Sequence, residues 1–480
     1  MAPTTNGVRA RLSHPVIDID GHTTESLVAL EPYLREEGVD PSSESLRRLL
    51  PGSFGPWSDW YSASSEERAA RRTGRPPGWG APARNTRDLA TALCPSLMYE
   101  RLDEFGIDVS VTYPSLGLIF MHLDDERERR GLCRALNRFN ADAFAPLSDR
   151  LIPVAAIPMH TPDEACEELE YAVRTLGFKA VLLAGYVQRP VAAVADRDPE
   201  LAKYAQWIDM YGIDSAYDYD AVWSRCLELG VGVSFHSGSI GWGSRMSISN
   251  YMYNHLGHLA EGHHALAKSL FMGGVTRRFP DLPFSFLEGG VAWAVALYSD
   301  LVGHWEKRNA GAMDHLNPAN IDRELLGSLL DRYGSKAGTN PSSRPAARRE
   351  EDPATIDEWS ACGIDRKEDI RDLFARSFFF GCEADDPLTA GAFNTKLNPF
   401  GSRLQAMFGS DLSHWDVPDM SEVLDEAFEM VEHEWITEDD FRDFMFTNPV
   451  AFFTRTNPAF FAGTAVEGDV DKFLASTAEV

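Results

Sequence analysis

Eight short apolar segments alternate mostly with amphipathic helical patterns, and this alternation limits the possible folds more than any other feature of the chain. Strands that alternate with helices are joined by right-handed crossovers into a parallel sheet. Eight such strands predict an α/β fold, a (β/α)8 TIM barrel with loop insertions. An open doubly wound sheet is the alternative, although no glycine-rich phosphate turn follows the first strand. The predicted strands cover residues 15–20, 109–114, 151–158, 180–185, 231–237, 284–289, 377–382 and 405–410.

We assign residues 10–465 to a single barrel domain and residues 466–480 to a C-terminal tail. Three stretches interrupt the alternation and are predicted insertions, at about 26–95, 186–215 and 308–370. The third is low in apolar residues and contains KAGTNPSSRPAARREEDP, so we expect it to be exposed and partly disordered. The first contains the aromatic segment GPWSDWYSA, which could cover a pocket.

The charge balance and the cysteine pattern exclude several classes of protein. Lysine and arginine total 45 against 73 aspartates and glutamates, a net charge of −28 that should repel nucleic acid and anionic lipid. No run approaches the roughly 18 apolar residues of a membrane span, and the N-terminus lacks the apolar segment of a secretory signal. The six cysteines are scattered without a CxxC pair, which indicates reduced thiols. We therefore expect a cytoplasmic protein.

Four predicted strands end in a carboxylate, an imidazole or both. Because TIM-barrel active sites form at the carboxyl ends of the strands, these side chains should converge above the barrel axis. Imidazole with carboxylate is a ligand set for Zn, Fe or Mn. A strand-end aspartate can instead cap the next helix, and a strand-end histidine can pack a loop, but an unpaired buried glutamate is costly. The residues are Asp18, Asp20, His22 and Glu25 after strand one, His236 after strand five, Glu288 after strand six, and Asp411 with His414 after strand eight.

A histidine-rich segment, NHLGHLAEGHHALAK, follows the fifth predicted strand. It contains His255, His258, His263 and His264, and its place in a βα connection puts it on the active-site side of a barrel. A solvated helix end is the alternative interpretation for each histidine. We favour His264 as a metal ligand, with His263 next.

Six motifs together resemble amidohydrolase-related family 2, the aminocarboxymuconate-semialdehyde decarboxylase-like branch of the amidohydrolase superfamily. They are IDIDGHTTES, YPSLGL, LIPVAAIPMHTPDEACEEL, LGVGVSFHSG, GGVTRRFPDLPFSFLEGGVAW and FGSDLSHWD. The resemblance spans most of the chain outside 30–95, 186–215 and 308–370. It implies a metal-dependent barrel with the ligands Asp20, His22, His236 and Asp411.

Two positions depart from the pattern that this resemblance implies. The typical strand-one motif is His-x-His, whereas this chain has Asp20 and His22, and the decarboxylases have a histidine where this chain has Glu288. Both changes replace an imidazole with a carboxylate, which Fe and Mn accept more readily than Zn does. The second change also removes the residue expected to act as acid or base in the decarboxylases.

The candidate ligands outnumber those of a single catalytic metal, which usually takes three or four from the protein. They suit two Fe ions, or Fe with Mn, about 3.5–4 Å apart, and Zn or Mn is the alternative. The set resembles the dinuclear non-heme iron oxygenase members of the superfamily, such as a platensimycin-type diterpenoid-tailoring hydroxylase. The resemblance implies a monooxygenase of natural product biosynthesis that hydroxylates an unactivated carbon of a bulky, largely apolar small molecule. The predicted metal ligands are Asp20, His22, Glu25, His236, His264, Glu288 and Asp411.

The same ligands also suit a metal-dependent hydrolase, or a non-oxidative decarboxylase acting on an aromatic or cyclic carboxylic acid. A non-catalytic partner subunit is a third hypothesis. We expect catalytic roles for Glu288, Asp411 and His414, a small-molecule substrate with O2, and a homodimer. Substrate-binding aromatic residues are predicted near the ligands, although each could pack a loop instead: Tyr113, Trp242 and Trp293.

Overall fold

The structure is a computed structural model that describes residues 6–43, 58–75, 84–239, 242, 246–316, 320–334 and 357–478. Eight strands form one parallel sheet in the order β1-β2-β3-β4-β7-β8-β9-β10. The predicted segment KAGTNPSSRPAARREEDP lies outside the described residues. The strands are β1 (Ile17–Thr23), β2 (Val109–Pro114), β3 (Leu151–Ile157), β4 (Ala180–Leu183), β5 (Val187–Pro190), β6 (Gln206–Asp209), β7 (Val233–Phe235), β8 (Phe284–Phe286), β9 (Phe378–Cys382) and β10 (Gln405–Phe408).

Each of the eight predicted strands is present, and the TIM-barrel prediction is confirmed. Neighbouring strands of the eight-stranded sheet pair in parallel, whereas β5 and β6 form a separate antiparallel hairpin. Six of the strands are shorter than predicted, and β7 and β8 are reduced most, to three residues each. After β8 the backbone turns out of the sheet, with a positive φ of 57° at Glu288.

The barrel closes where the end of β1 meets the segment that follows β10. The amide of Asp411 donates to the carbonyl of Asp20 at 2.9 Å, and the amide of His22 donates to the carbonyl of Leu412 at 3.0 Å. Asp18 lies two residues before Asp20 on β1, and its carboxylate accepts hydrogen bonds from the hydroxyls of Ser110 on β2 and Ser410 after β10. This seam brings the first and last strands of the barrel together at the end that carries the polar residues.

Helices connect the strands and cover the outside of the sheet. The longer ones are α1 (Leu27–Glu36), α2 (Thr86–Leu93), α3 (Pro95–Phe105), α4 (Glu126–Phe144), α5 (Pro162–Glu170), α6 (Asp220–Leu229), α7 (His258–Met272), α8 (Ala292–Arg308), α9 (Arg323–Tyr333), α10 (Lys367–Ser377), α11 (Val423–Glu432), α12 (Asn448–Thr456) and α13 (Glu467–Ala478). Shorter helical segments are Arg9–Arg11, Ser58–Ser62, Ser65–Arg71, Gly117–Phe120, Ala145–Leu147, Tyr171–Thr175, Ala192–Ala195, Pro199–Ala202, Tyr251–His255, Val275–Arg278, Ala312–Leu316, Glu358–Ala361, Pro387–Thr389, Ala390–Phe393, Pro399–Gly401, Glu438–Arg442 and Asp443–Thr447.

The core consists of strand side chains that are buried on both faces of the sheet, as expected for parallel strands covered by helices. Stacked phenylalanines are prominent, with the ring centroids of Phe235 and Phe286 5.9 Å apart and those of Phe286 and Phe380 6.1 Å apart. In the described part of the chain, we find no helix with the length and apolar character needed to cross a bilayer.

The segment 58–75 of the first predicted insertion packs on the loop that follows β7. The indole of Trp60 donates to the carbonyl of Ile248 at 2.8 Å, and the side-chain amide of Asn254 donates to the carbonyl of Arg75 at 2.6 Å. The amide of Arg75 donates to the carbonyl of Ser247 at 2.9 Å. These contacts fix the loop against a second part of the chain.

Candidate metal centre

Four strands deliver the polar side chains that meet at the carboxyl end of the barrel. Asp20 and His22 belong to β1, His236 directly follows β7, Glu288 lies two residues after β8, and Asp411 lies three residues after β10. The first three positions have backbones that any residue adopts, but the last two have positive φ, 57° at Glu288 and 48° at Asp411. A non-glycine residue in this region is uncommon and marks a constrained backbone. The chain therefore holds both carboxylates in place against a local backbone preference.

The imidazole of His22 lies between two carboxylates. Its Nε2 is 3.2 Å from Oδ1 of Asp20 and 3.4 Å from Oδ1 of Asp411. The imidazole of His236 approaches the same aspartate, with Nε2 3.6 Å from Oδ1 of Asp20 and 2.9 Å from Oε2 of Glu288. The two imidazole rings meet edge to face, with centroids 4.9 Å apart. Atoms from four strand ends thus point at one small volume.

Ligand-type atoms form three overlapping groups, and within each group all of the atoms lie within 4.8 Å of one another. The first group combines two imidazoles with two carboxylates, the second has the same composition, and the third contains carboxylates alone. The members are Asp20, His22, His236 and Glu288 in the first, His22, Glu288, Asp411 and His414 in the second, and Glu288, Glu383, Asp411 and Asp416 in the third.

The residues of the first group fit a bound divalent cation. Their side chains are at most 7% exposed. Some of their polar atoms have no hydrogen-bond partner in the described part of the chain, among them Oδ1 of Asp20 and Nε2 of His22. Leaving such groups buried and unpaired is costly, and charged groups cost most. A cation coordinated by these atoms would remove that cost, and the mixture of imidazole and carboxylate suits Mn, Fe or Zn.

Burial and mutual charge shift the pKa values in this cluster in opposite directions. Burial raises the pKa of Asp20 to about 7 and lowers the pKa of His22 well below its usual value. Burial also opposes the charged form of His236, but the carboxylates of Asp20 and Glu288 outweigh it and raise the pKa of that imidazole. Burial would raise the pKa of Glu288, yet His236 holds it well below the usual range. The cluster therefore retains protons that a bound cation would displace.

Asp411 and His414 form the closest pair in the centre. Oδ1 of Asp411 lies 2.6 Å from Nδ1 of His414, and the ring of His414 stacks on that of His22 with centroids 3.9 Å apart. Burial, followed by the charge of Glu288, raises the pKa of Asp411 well above its usual value. Burial lowers the pKa of His414, but Glu288 reverses this and raises it. Both shifts favour the protonated forms of the pair at the edge of the centre.

The structure brings five of the seven predicted ligands together and leaves two outside the three groups. Glu25 accepts a hydrogen bond from the amide of Leu116 at 2.9 Å, and burial raises its pKa to about 7. His264 lies on α7 with its ring 6.3 Å from that of Trp293. Neither residue belongs to a group of candidate ligands in the described part of the chain.

The predicted substrate-binding aromatic residues lie in different surroundings. Tyr113 borders the centre, with its ring 6.0 Å from that of His22. Trp242 packs edge to face on Tyr186, with the two ring centroids 5.9 Å apart. Trp293 packs against Phe286 and Phe380, at 5.5 Å from each ring, so it contributes to the packing around two strands.

Two carboxylates of the third group, Glu383 and Asp416, were not predicted. Glu383 directly follows β9, and the rule that selected the other strand-end residues would have selected it as well. Asp416 lies two residues after His414 and is 3.6 Å from Nε2 of His255. No periodicity marks Asp416, because its position depends on the turn that follows β10.

Comparison with known proteins identifies related sequences and folds. Residues 99–337 match a protein-family model described as Amidohydrolase. A curated relative, gamma-resorcylate decarboxylase from Rhizobium sp. (strain MTP-10005), is 33% identical over 90 residues. That match covers 18% of this chain and 26% of the relative, so the chain matches about a quarter of the relative's length.

Solved structures of similar fold cover nearly the whole chain at low identity. An amidohydrolase from Mycobacterium avium subsp. paratuberculosis K-10 is 16% identical with a TM-score of 0.50, and the match covers 92% of this chain and 100% of that one. A dihydroxybenzoic acid decarboxylase from Polaromonas sp. JS666, with bound manganese and the inhibitor 2-nitroresorcinol, is 16% identical with a TM-score of 0.46. That match covers 92% of this chain and 97% of the decarboxylase.

The prediction of an oxygenase is wrong. The curated relative is a decarboxylase and the family model describes amidohydrolases, so the monooxygenase and diiron assignments are overturned. The excess of carboxylate over imidazole does not by itself indicate iron. A ligand set of this kind accepts Mn and Zn as well, and therefore does not indicate O2 chemistry. The structure contains a candidate metal site but does not establish two iron ions. Residues 99–337, just under half of the chain, are similar to the amidohydrolase family model.

Proposed function

We propose that the protein is a divalent-metal-dependent, non-oxidative decarboxylase of an aromatic or cyclic carboxylic acid. The observation that carries the proposal is the buried group of Asp20, His22, His236 and Glu288, whose facing atoms lie within 4.8 Å of one another. The matched curated relative is itself a decarboxylase, which favours this reaction over hydrolysis. The reaction needs no oxidant, since it exchanges a carboxylate for a proton.

The four side chains of this group would hold a Mn²⁺ or Zn²⁺ ion, with Asp411 as a further ligand or a neighbour. The ion would supply Lewis-acid stabilisation of the negative charge on the substrate. The chain's own residues would orient the acid above the barrel axis and limit the access of water, since the side chains of the group are buried. Tyr113, buried beside His22, would form part of the wall against which a flat ring packs.

The proton required at the ring carbon would come from the Asp411–His414 pair. Decarboxylation breaks the bond between the ring and the carboxyl carbon and leaves the electron pair on the ring. A proton from the pair then forms the new C–H bond, CO2 departs, and solvent restores the proton. The 2.6 Å contact between the two side chains lets them share one proton, which is what a general acid must supply. Glu288 would help to keep that proton on the pair through its charge.

The test begins with chelation of the purified full-length protein and reconstitution with Mn²⁺, Zn²⁺ or Fe²⁺ under anaerobic conditions. A panel of hydroxylated benzoic acids is then assayed for CO2 release. We expect turnover without O2, and in D2O one deuterium at the carbon vacated by the carboxylate. Hydrolysis of an ester or amide panel in place of CO2 release, or a strict requirement for O2, would overturn the proposal. The Asp20→Asn variant is the matched control for contaminating activity.

A further inference from the structure

Helix α9 (Arg323–Tyr333) and the two residues before it carry an exposed apolar stripe. No residue of the helix is buried. The stripe consists of four apolar side chains spaced four residues apart, which places them along one side of a helix. Their exposed fractions are 48% for Ile321, 55% for Leu325, 45% for Leu329 and 67% for Tyr333. The stripe therefore runs along the whole length of α9.

The stripe is distinct from the side of α9 that is turned towards the rest of the chain, where Leu326 and Leu330 are half-buried. The helix has 11 residues. Isolated helices shorter than about 12–15 residues are marginal in water, and most of the stability of a protein helix comes from packing its apolar face. A contiguous exposed apolar surface on such a helix marks a site of association.

Opposite charges lie at the two ends of the stripe. At the N-terminal end, Asp322 caps the helix, and its Oδ1 accepts a hydrogen bond from the amide of Leu325 at 2.9 Å. At the C-terminal end, the guanidinium of Arg332 lies 4.9 Å from the centroid of the Tyr333 ring. A helix rises 1.5 Å per residue, so Asp322 and Arg332 are about 15 Å apart along the axis. Within one copy of the chain, these two side chains are too far apart to pair.

This arrangement of charge is complementary to itself when two copies of α9 run antiparallel. A two-fold axis level with Gly327 places Leu325 of each copy against Leu329 of the other, and Asp322 of each copy against Arg332 of the other. Each contact occurs twice, because an interface with two-fold symmetry uses the same surface on both copies. Antiparallel packing also opposes the two helix dipoles. A parallel arrangement would instead bring like charges together.

We propose that α9 is the surface through which two copies of this chain form a homodimer, with the two helices antiparallel and Asp322 of each copy paired with Arg332 of the other. A second copy suits this surface because it supplies both an apolar stripe and the opposite charge at each end. One helix from each copy gives an interface at the small end of the usual range, so the dimer should dissociate on dilution. This surface is separate from the candidate metal centre, since the three ligand groups contain no residue of α9.

The first test is sedimentation of the full-length protein between about 1 and about 200 µM. The mass should rise with concentration from that of one chain, 53.3 kDa, towards twice that value. Leu325→Glu places a charge in the middle of the stripe and should weaken association at least about tenfold. Leu201→Glu is the matched control, since Leu201 is also 55% exposed but lies in the segment Pro199–Ala202. A wild-type protein that stays monomeric, or equal association of the two variants, would overturn the proposal.

The second test examines the pairing of charges between copies. Arg332→Glu places a like charge opposite Asp322 of the other copy and should weaken association at least about tenfold. Adding Asp322→Asn removes this repulsion and keeps a good N-cap residue, so it should restore association at least about threefold in the Arg332→Glu background. In the wild-type background the same Asp322→Asn change should weaken association. If Asp322→Asn weakened association equally in both backgrounds, the antiparallel pairing would be wrong.

Discussion

Asp18 and Asp20 lie two residues apart on β1, and both are buried, yet their surroundings differ completely. The carboxylate of Asp18 accepts hydrogen bonds from the hydroxyls of Ser110 at 2.6 Å and Ser410 at 2.9 Å. It also accepts from the backbone amides of Ser410 and Asp20, at 2.9 and 3.1 Å. In contrast, Oδ1 of Asp20 has no hydrogen-bond partner in the described structure and faces two imidazoles.

The difference separates a structural carboxylate from a binding one. Asp18 is saturated by donors from both neighbouring segments, so it stabilises the seam that closes the barrel. Asp20 lacks such donors, which fits a side chain whose partner is a bound cation. Since a buried carboxylate without donors is costly, the comparison indicates where the chain sacrifices stability for function. Four predictions, ordered by expected effect, test it.

The largest effect is expected for Asp20→Asn. The substitution removes a charged ligand, so the metal content of the purified protein should fall from about one ion per chain to a small fraction. Activity should fall at least 100-fold, since even partners of ligands cost roughly 10–100-fold. The stability of the metal-free protein should be unchanged or higher, because an unpaired buried charge is removed. Elemental analysis, kinetics and urea unfolding measure the three quantities, and full retention of metal would exclude Asp20 as a ligand.

The same substitution at Asp18 should have the opposite pattern. In Asp18→Asn an amide group faces the donors of Ser110 and Ser410, so the free energy of unfolding should fall by about 1–3 kcal/mol. Metal content per folded chain should remain as in the wild type. Urea unfolding of the chelated protein gives the first value and elemental analysis the second. If Asp18→Asn lost metal without losing stability, the roles assigned to the two aspartates would be reversed.

A smaller, pH-dependent effect is expected for Glu25, which is buried outside the three ligand groups. Burial raises its pKa from 4.5 to about 7, so between these pH values the folded chain holds a proton that the unfolded chain releases. Stability therefore falls as the pH rises through this window, by up to about 3 kcal/mol. Glu25→Gln should show a weaker fall between pH 5 and 8 than the wild type, both measured without metal. Parallel stability curves for the two proteins would contradict the assignment.

The smallest effect is expected for His264→Ala. The imidazole lies on α7 against Trp293 and outside the ligand groups, so metal content and kcat/KM should stay within about twofold of the wild type. His236→Ala is the matched control and should lose metal, because Nε2 of His236 faces both Asp20 and Glu288. Equal losses in the two variants would restore His264 as a ligand.

Much of the centre could be predicted from the position of polar residues at strand ends. Asp20, His22, His236, Glu288 and Asp411 were found in this way because parallel strands deliver their carboxyl ends to one rim of the barrel. The alternation of side chains along a strand also predicts that Asp18 lies on the same face of β1 as Asp20 and His22. The pairing of β1 with β2 shifts register between Asp18 and Gly21, and Asp18 instead bonds to Ser110 and Ser410.

The histidine-rich segment shows why spacing alone was not sufficient. Its four imidazoles have four different surroundings: His255 approaches Asp416, His258 packs against His255, His263 packs on Phe286, and His264 lies against Trp293. Which face of α7 points towards the centre depends on how the helix docks on the barrel. Contacts between residues far apart in sequence decide that orientation.

The sequence by itself determined the fold class and the rim on which the chemistry lies, because the strand and helix periodicities and the polar strand ends are local patterns. Only the tertiary structure decided which of two neighbouring aspartates is saturated by donors and which faces imidazoles. It also decided the positive φ of Glu288 and Asp411. These features depend on distances between strands that are hundreds of residues apart, and no local pattern encodes such distances.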